Sequence, residues 1–224
     1  MTADGQRLEL AAAGTTVSAR LLRADAARSG YLLAHGAGTH MDHAGVRATA
    51  AALQAQAVTT LRFNFPYSEH GSRRPDRPAV CHATVRAAAT EAQRQAPQLA
   101  WFAGGRSFGG RMTSQAQATA PLPGVRGLVF LGFPLHPAGK PAIERARHLQ
   151  DIRVPMLFVQ GTRDALAERA LLETVLQDLG PRASIEWLEH ADHSFHVAKR
   201  DGGDDAALLA RVAIRIAAWM DEQR

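Results

Sequence analysis

Three stretches of this sequence carry residue types that together could perform acyl-transfer chemistry. The first is Gly104-Gly105-Arg106-Ser107-Phe108-Gly109-Gly110, which holds a G-x-S-x-G pattern between an apolar run and a segment of helical spacing. A serine on so sharp a strand-to-helix turn takes a strained backbone, and flanking glycines keep side chains from colliding there. Its oxygen stands exposed at the helix start, where backbone N–H groups and the helix dipole favour developing negative charge. The second stretch, Gly161-Thr162-Arg163-Asp164, offers a carboxylate just past another apolar run. The third, Glu189-His190-Ala191-Asp192-His193-Ser194-Phe195-His196, offers an imidazole. Ser107 would attack an acyl carbon, His193 would carry its proton, and Asp164 would fix the imidazole tautomer. His190 and His196 compete for the base role, but His193 falls at the loop centre while His190 closes the preceding strand.

The rest of the chain must supply elements that bring these loops together. Short apolar runs bounded by Gly or Pro occur at 31–34, 58–65, 99–103, 127–133, 154–160 and 185–188. Runs of that length and setting read as buried strands of a parallel sheet. Residues 16–24 suit an earlier strand paired with residues 7–10. Between the runs, helical spacing covers 44–56, 79–95, 108–120, 142–150, 166–179 and 205–220. In the last segment Leu208, Leu209, Val212, Ile216 and Trp219 share one face, and Asp204 or Asp205 supplies the N-cap. Strand and helix alternate, which predicts an α/β fold with a mainly parallel sheet covered by helices on both faces. The length of 224 residues suits one domain spanning 1–224.

In such a sheet the chemistry gathers in loops at the carboxyl ends of the strands. The order Ser107, Asp164, His193 is that of α/β-hydrolases. In that arrangement the oxyanion hole is built from two backbone N–H groups, here those of Phe108 and Ala37. Ala37 lies in the loop His35-Gly36-Ala37-Gly38-Thr39-His40. His35, Gly36, Arg106, Tyr67 and Lys140 are the candidates for contact with substrate, Lys140 through an acidic group. Their competing uses are a braced elbow for Arg106, a pocket wall for Tyr67 and a solvated loop for Lys140. Asp164 has an alternative use as a helix cap.

No phosphate-binding loop is present, since Gly36-x-Gly38 lacks its third glycine and Gly139-Lys140 runs into Pro141. His190, Asp192, His193 and His196 have zinc-ligand types without a zinc spacing, so neither metal nor cofactor is expected. The net charge of +5 comes from arginines scattered among Asp and Glu, with lysine only at Lys140 and Lys199. No basic stripe or recognition helix speaks for nucleic acid. No apolar run reaches membrane-spanning length, and residues 1–10 lack the pattern of a secretory signal. Cys81 is the only cysteine, which excludes an intrachain disulfide. The expectation is a cytoplasmic protein with a small acyl partner; the sequence specifies no oligomeric state.

Six segments together resemble the small lidless α/β-hydrolases of the dienelactone hydrolase type. They are Leu33-Ala34-His35-Gly36-Ala37-Gly38, Arg62-Phe63-Asn64-Phe65-Pro66-Tyr67, Gly104 to Arg111, Gly132-Phe133-Pro134-Leu135-His136-Pro137-Ala138-Gly139-Lys140-Pro141, Gln160 to Asp164, and Asp192-His193-Ser194-Phe195. The resemblance is closer to a branch related to the testis-expressed and NSL-complex hydrolase-like proteins. It implies a serine hydrolase acting through Ser107, Asp164 and His193, and it implies no substrate. Dienelactone hydrolase itself uses a cysteine nucleophile, where this chain has Ser107. About 20 residues separate the strand ending at Phe133 from that starting at Val154, so no large cap domain is expected. The site is expected to be open or covered by loops 68–78 and 135–140. A carboxylesterase or thioesterase is the first expectation; a binding or scaffold protein with an idle triad is the second.

Overall fold

Residues 5–224 are described in the computed structural model, and residues 1–4 of the N-terminal stretch discussed above lie outside them. The central strands form from apolar runs whose residues are buried on both faces at once, while the first two strands of the chain alternate buried with exposed or half-buried positions. In chain order the strands are β1 (Gln6–Ala12), β2 (Thr15–Leu22), β3 (Ser29–Ala34), β4 (Val58–Phe63), β5 (Ala100–Arg106), β6 (Val125–Leu131), β7 (Met156–Gly161) and β8 (Ala183–Leu188). The described residues form one eight-stranded sheet in the order β1-β2-β4-β3-β5-β6-β7-β8. β2 pairs antiparallel with both β1 and β4, and every other pairing is parallel.

Side chains alternate across the sheet into two cores. Trp101 and Ala103 of β5 enter one, while Ala100 and Phe102 enter the other. The first core is covered by α3 (Pro78–Gln95), α4 (Phe108–Thr119) and α5 (Arg169–Leu179). The second is covered by α1 (Ala44–Gln54) and α6 (Asp205–Glu222). The helix α2 (Pro66–Glu69) is a single turn after β4. Asp204 is the α6 cap, its Oδ1 accepting from the N–H groups of Ala206 and Ala207 at 3.0 Å. Leu208, Val212, Ile216 and Trp219 are buried as the helical spacing predicts.

Several bounds shift by about two residues, β6 ending at Leu131 and β7 starting at Met156 among them, and three differences have a distinct physical cause. The segment read as a helix over 142–150 is a 3-10 helix, Glu144–Asp151. Its buried residues Ala146, Leu149 and the following Ile152 recur every third position, the period of that tighter helix. α5 begins at Arg169 rather than 166, because Asp164 to Ala167 is consumed by a turn closed by Ala167 N–H on Asp164 O at 3.2 Å. The strand read over 58–65 stops at Phe63, where Pro66 forces the chain into α2. Only loops and this 3-10 helix lie between β6 and β7, so no cap domain is present there.

Candidate active site

β3 is flanked by β4 on one side and β5 on the other, so the loops after β3 and β5 diverge and leave a crevice. Ser107 occupies the turn from β5 into α4 with φ 49° and ψ −115°, a conformation that costs a non-glycine residue about 1–3 kcal/mol. Two glycines make this turn fit. A Cβ on Gly105, where φ is +139°, would lie 2.2 Å from Ala34 O, and one on Gly109 would lie 2.5 Å from His35 O. Ser107 N–H is fastened to Leu131 O at 3.1 Å. Ser107 is the N-cap of α4, yet its Oγ makes no capping bond.

That oxygen instead lies 2.8 Å from His193 Nε2, and His193 Nδ1 lies 2.7 Å from Asp164 Oδ2. An Nδ1–H donated to the carboxylate leaves Nε2 as the acceptor for the serine hydroxyl. Asp164 follows β7; its side chain is inaccessible to solvent, while that of His193 is 25% exposed. The buried carboxylate is satisfied from three directions: His193, the Leu166 N–H on Oδ1 at 2.8 Å, and Gln160 Nε2 on Oδ2 at 2.5 Å. Gln160 is itself buried at the end of β7, and its Oε1 accepts from Phe133 N–H at 2.8 Å. The Leu166 bond shows Asp164 organising the local turn as well as holding the imidazole.

His193 is presented by a loop that bonds to itself. Asp192 Oδ1 accepts from Ser194 N–H at 2.7 Å and His196 N–H at 3.0 Å. His190 and His196 are both turned elsewhere: His190 is exposed with φ 63°, and His196 Nδ1 pairs with Asp205 at 2.8 Å. That pairing pushes the His196 imidazole above the usual histidine range.

The loop after β3 aims a second set of groups. Gly36 O accepts from His35 Nδ1 and Thr39 Oγ1, each at 2.9 Å, and from Tyr67 Oη at 3.3 Å. In a trans peptide the carbonyl and the next N–H point opposite ways. Tying Gly36 O toward the protein therefore turns Ala37 N–H away from it. Neither Ala37 N–H nor Phe108 N–H has an acceptor among the described residues. His35 Nε2 accepts from Phe65 N–H at 3.2 Å, and burial lowers its pKa to about 4, which keeps the ring neutral. Burial likewise raises the Tyr67 phenol above its usual range.

A groove of about 520 Å³ opens over Ser107 and His193. Gly36, Ala37, Arg106 and Phe195 line it, with Val46 and Ala48 of α1 and Leu209 of α6 farther along. His35 and Tyr67 lie beneath it, fully or almost fully buried, and reach it only through Gly36. Lys140 stands exposed in the turn closed by its N–H on Pro137 O, outside the groove lining. Loops 68–78 and 135–140 are also absent from that lining. Gln160 is the part of the constellation that the sequence reading passed over; a lone glutamine ending an apolar run was the only trace of it.

This sheet order, with a strained serine after β5 and a carboxylate and imidazole after β7 and β8, defines the α/β-hydrolase fold without a large cap domain. The chain belongs to the alpha/beta hydrolase domain family, whose model matches residues 27–221. Among solved structures it is similar to dienelactone hydrolase from Anabaena variabilis, at 19% identity and TM-score 0.77 over 98% of this chain and 99% of that one. It is also similar to an alpha-beta serine hydrolase homologue from Coxiella burnetii, at 19% identity and TM-score 0.75 over 94% and 96% of the two chains. A serine hydrolase without a lid from Xanthomonas campestris aligns at 19% identity and TM-score 0.73, over 96% and 95%. Family membership supports hydrolase activity. Among the described residues, no helix is long and apolar enough to cross a membrane.

Proposed function

We propose that the protein is a serine hydrolase that cleaves carboxylic esters or thioesters of small acyl groups through an acyl-enzyme on Ser107. The observation that carries this reading is the unbroken chain from Ser107 Oγ through His193 to Asp164, at 2.8 and 2.7 Å, beside two unpaired backbone N–H groups. Ser107 Oγ attacks the acyl carbon while His193 Nε2 takes the hydroxyl proton. The N–H groups of Ala37 and Phe108 receive the charge that forms on the carbonyl oxygen. The imidazolium returns the proton to the leaving alcohol or thiol as its bond to carbon breaks. Water then attacks the acyl-enzyme with His193 again accepting the proton, releasing the acid and restoring Ser107.

In this reading His35 and Tyr67 act through Gly36, and Gln160 orients Asp164. The whole chain, residues 1–224, works as one hydrolase domain, which the long family match supports. The segments around Arg62–Tyr67 and Gly132–Pro141 support placing it in the branch that includes the testis-expressed and NSL-complex hydrolase-like proteins. A chain without any disulfide suits the reducing cytoplasm. The test is intact-mass labelling with a fluorophosphonate on the native protein and on Ser107→Ala. One adduct per native chain, absent from the variant, is the expected result. No adduct on folded native protein overturns the proposal and favours a scaffold with an idle triad. Unlabelled native protein is then assayed with acetyl to octanoyl 4-nitrophenyl esters and the matching thioesters, and prior labelling is expected to abolish the turnover.

A further inference from the structure

Arg106 immediately precedes Ser107 and forms part of the groove wall. Burial holds its guanidinium below the usual arginine range, so much of its hydration is gone. A cation removed from water ordinarily finds a carboxylate. Arg20 does so here: its side chain is 13% exposed and meets Asp42 at 3.0 Å. Arg106 has no such partner among the described residues. Asp192 and Asp164 act on it only through space, without a hydrogen bond. Its one bond runs from Nη2 to His193 O at 3.2 Å, and its Cζ lies 4.8 Å from the Phe195 ring centroid. Of the five N–H donors of a guanidinium, most are left unspent. None of its nitrogens is both sealed from solvent and unpaired, so the unspent donors reach the solvent of the groove.

We propose that Arg106 is an anion-binding subsite, and that the acyl substrates of this protein carry a carboxylate. The inference rests on the serine-hydrolase reading above. A planar guanidinium matches a carboxylate with two parallel hydrogen bonds, and its position against Phe195 fixes the plane in which they form. The carboxylate seats on Arg106, while the apolar wall of Val46, Ala48 and Leu209 takes the carbon chain. The substrate class is therefore a half-ester or half-thioester of a dicarboxylic acid, or an ester whose alcohol bears the acid.

Two probe pairs separate these sources. The first pair is mono-4-nitrophenyl adipate and its distal methyl ester; the second is 4-acetoxybenzoate and its methyl ester. The native protein is expected to favour the carboxylate member of at least one pair. Arg106→Met keeps an apolar stem over Phe195, and it is expected to lower kcat/KM for that member about tenfold to a hundredfold more than for its methyl ester. Arg106→Lys, which keeps the charge but loses the fork, is expected to recover part of the preference. Equal losses for both members of each pair, with a displaced pH profile of kcat, would assign Arg106 to bracing His193 and overturn the inference. Binding gives a measurement that needs no turnover: monomethyl adipate titrated by ligand-observed NMR into Ser107→Ala, with and without Arg106→Met. Saturable binding lost in the double variant supports the subsite. No binding, or binding indifferent to Arg106, rejects it even when fluorophosphonate labelling upholds the serine hydrolase.

Discussion

A serine oxygen lies 2.8 Å from a histidine Nε2 in two places, Ser107 with His193 and Ser114 with His148, and only the first has the surroundings that the proposed attack requires. Ser114 sits inside α4, fully buried, and its hydroxyl donates to Arg111 O at 2.9 Å. With that proton spent, His148 Nε2–H must be the donor to Ser114 Oγ. The pair ties α4 to the 3-10 helix over Glu144–Asp151. At Ser107 the direction is reversed, because Asp164 takes the Nδ1 proton and leaves Nε2 bare. The serine is also lifted onto a strained turn beside open N–H groups and a groove. A serine–histidine contact is therefore chemically silent until a carboxylate sets the tautomer and the backbone gives the oxygen access.

The comparison breaks most sharply at its third member. Asp164→Asn would offer His193 an amide N–H, fix its proton on Nε2 and so give it the tautomer of His148. Steady-state assays should show kcat falling about 10³- to 10⁴-fold. A loss under tenfold would mean that the carboxylate is not what distinguishes the two sites.

Protonation sharpens the contrast more gently. Burial lowers both His148 and His35 from 6.5 to about 4, while unfolded histidines keep the higher value. Folded pKa values below the unfolded ones mean that the unfolded chain binds protons first as pH falls. The stability these two rings contribute is whole above pH 6.5 and is lost as pH drops toward about 4. At pH 5 the loss amounts to up to about 2 kcal/mol for each ring. Urea unfolding at pH 7 and pH 5 should show it, and His148→Gln should remove its share of the difference. An unchanged pH dependence in that variant would contradict the assignment.

The smallest effect belongs to Ser114→Ala, which strands the buried His148 N–H and should cost about 1–2 kcal/mol of stability. Thermal unfolding reads that cost, and esterase kcat should stay within a factor of about two of native. A large loss of activity would make the second pair part of the chemistry.

Much of this arrangement was legible in the sequence, for identifiable reasons. β3 to β7 announce themselves because strands buried on both faces are short apolar runs, the half-buried β8 shows as a shorter one, and Ser107, Asp164 and His193 follow three of these strands. Arg106 could be marked as a neighbour of the proposed nucleophile, but its missing carboxylate partner depends on residues far along the chain. Gln160 was hidden for the same reason: its partners Phe133 and Asp164 come from two strand ends that meet only in the folded sheet. His35 and Tyr67 drew attention as polar groups near the site, whereas their hold on Gly36 O depends on the direction of one peptide plane. The 3-10 helix was mistaken for an α-helix because apolar residues spaced by three satisfy either pattern over two turns.

The buried Cys81 adds a use that has nothing to do with catalysis. It sits near the start of α3, inaccessible to solvent, where burial and Asp76 push its thiol up to about 12. A thiol so shielded meets an aromatic disulfide reagent only when the surrounding structure opens. Being the only sulfhydryl in the chain, it is a built-in clock for that opening, placed against Asp76, whose carbonyl faces Cys81 Sγ at 3.8 Å and whose carboxylate accepts from Tyr67 N–H at 2.8 Å. Its modification rate, read with and without an acyl inhibitor on Ser107, would time how often the floor of the groove breathes, without any label being engineered into the protein.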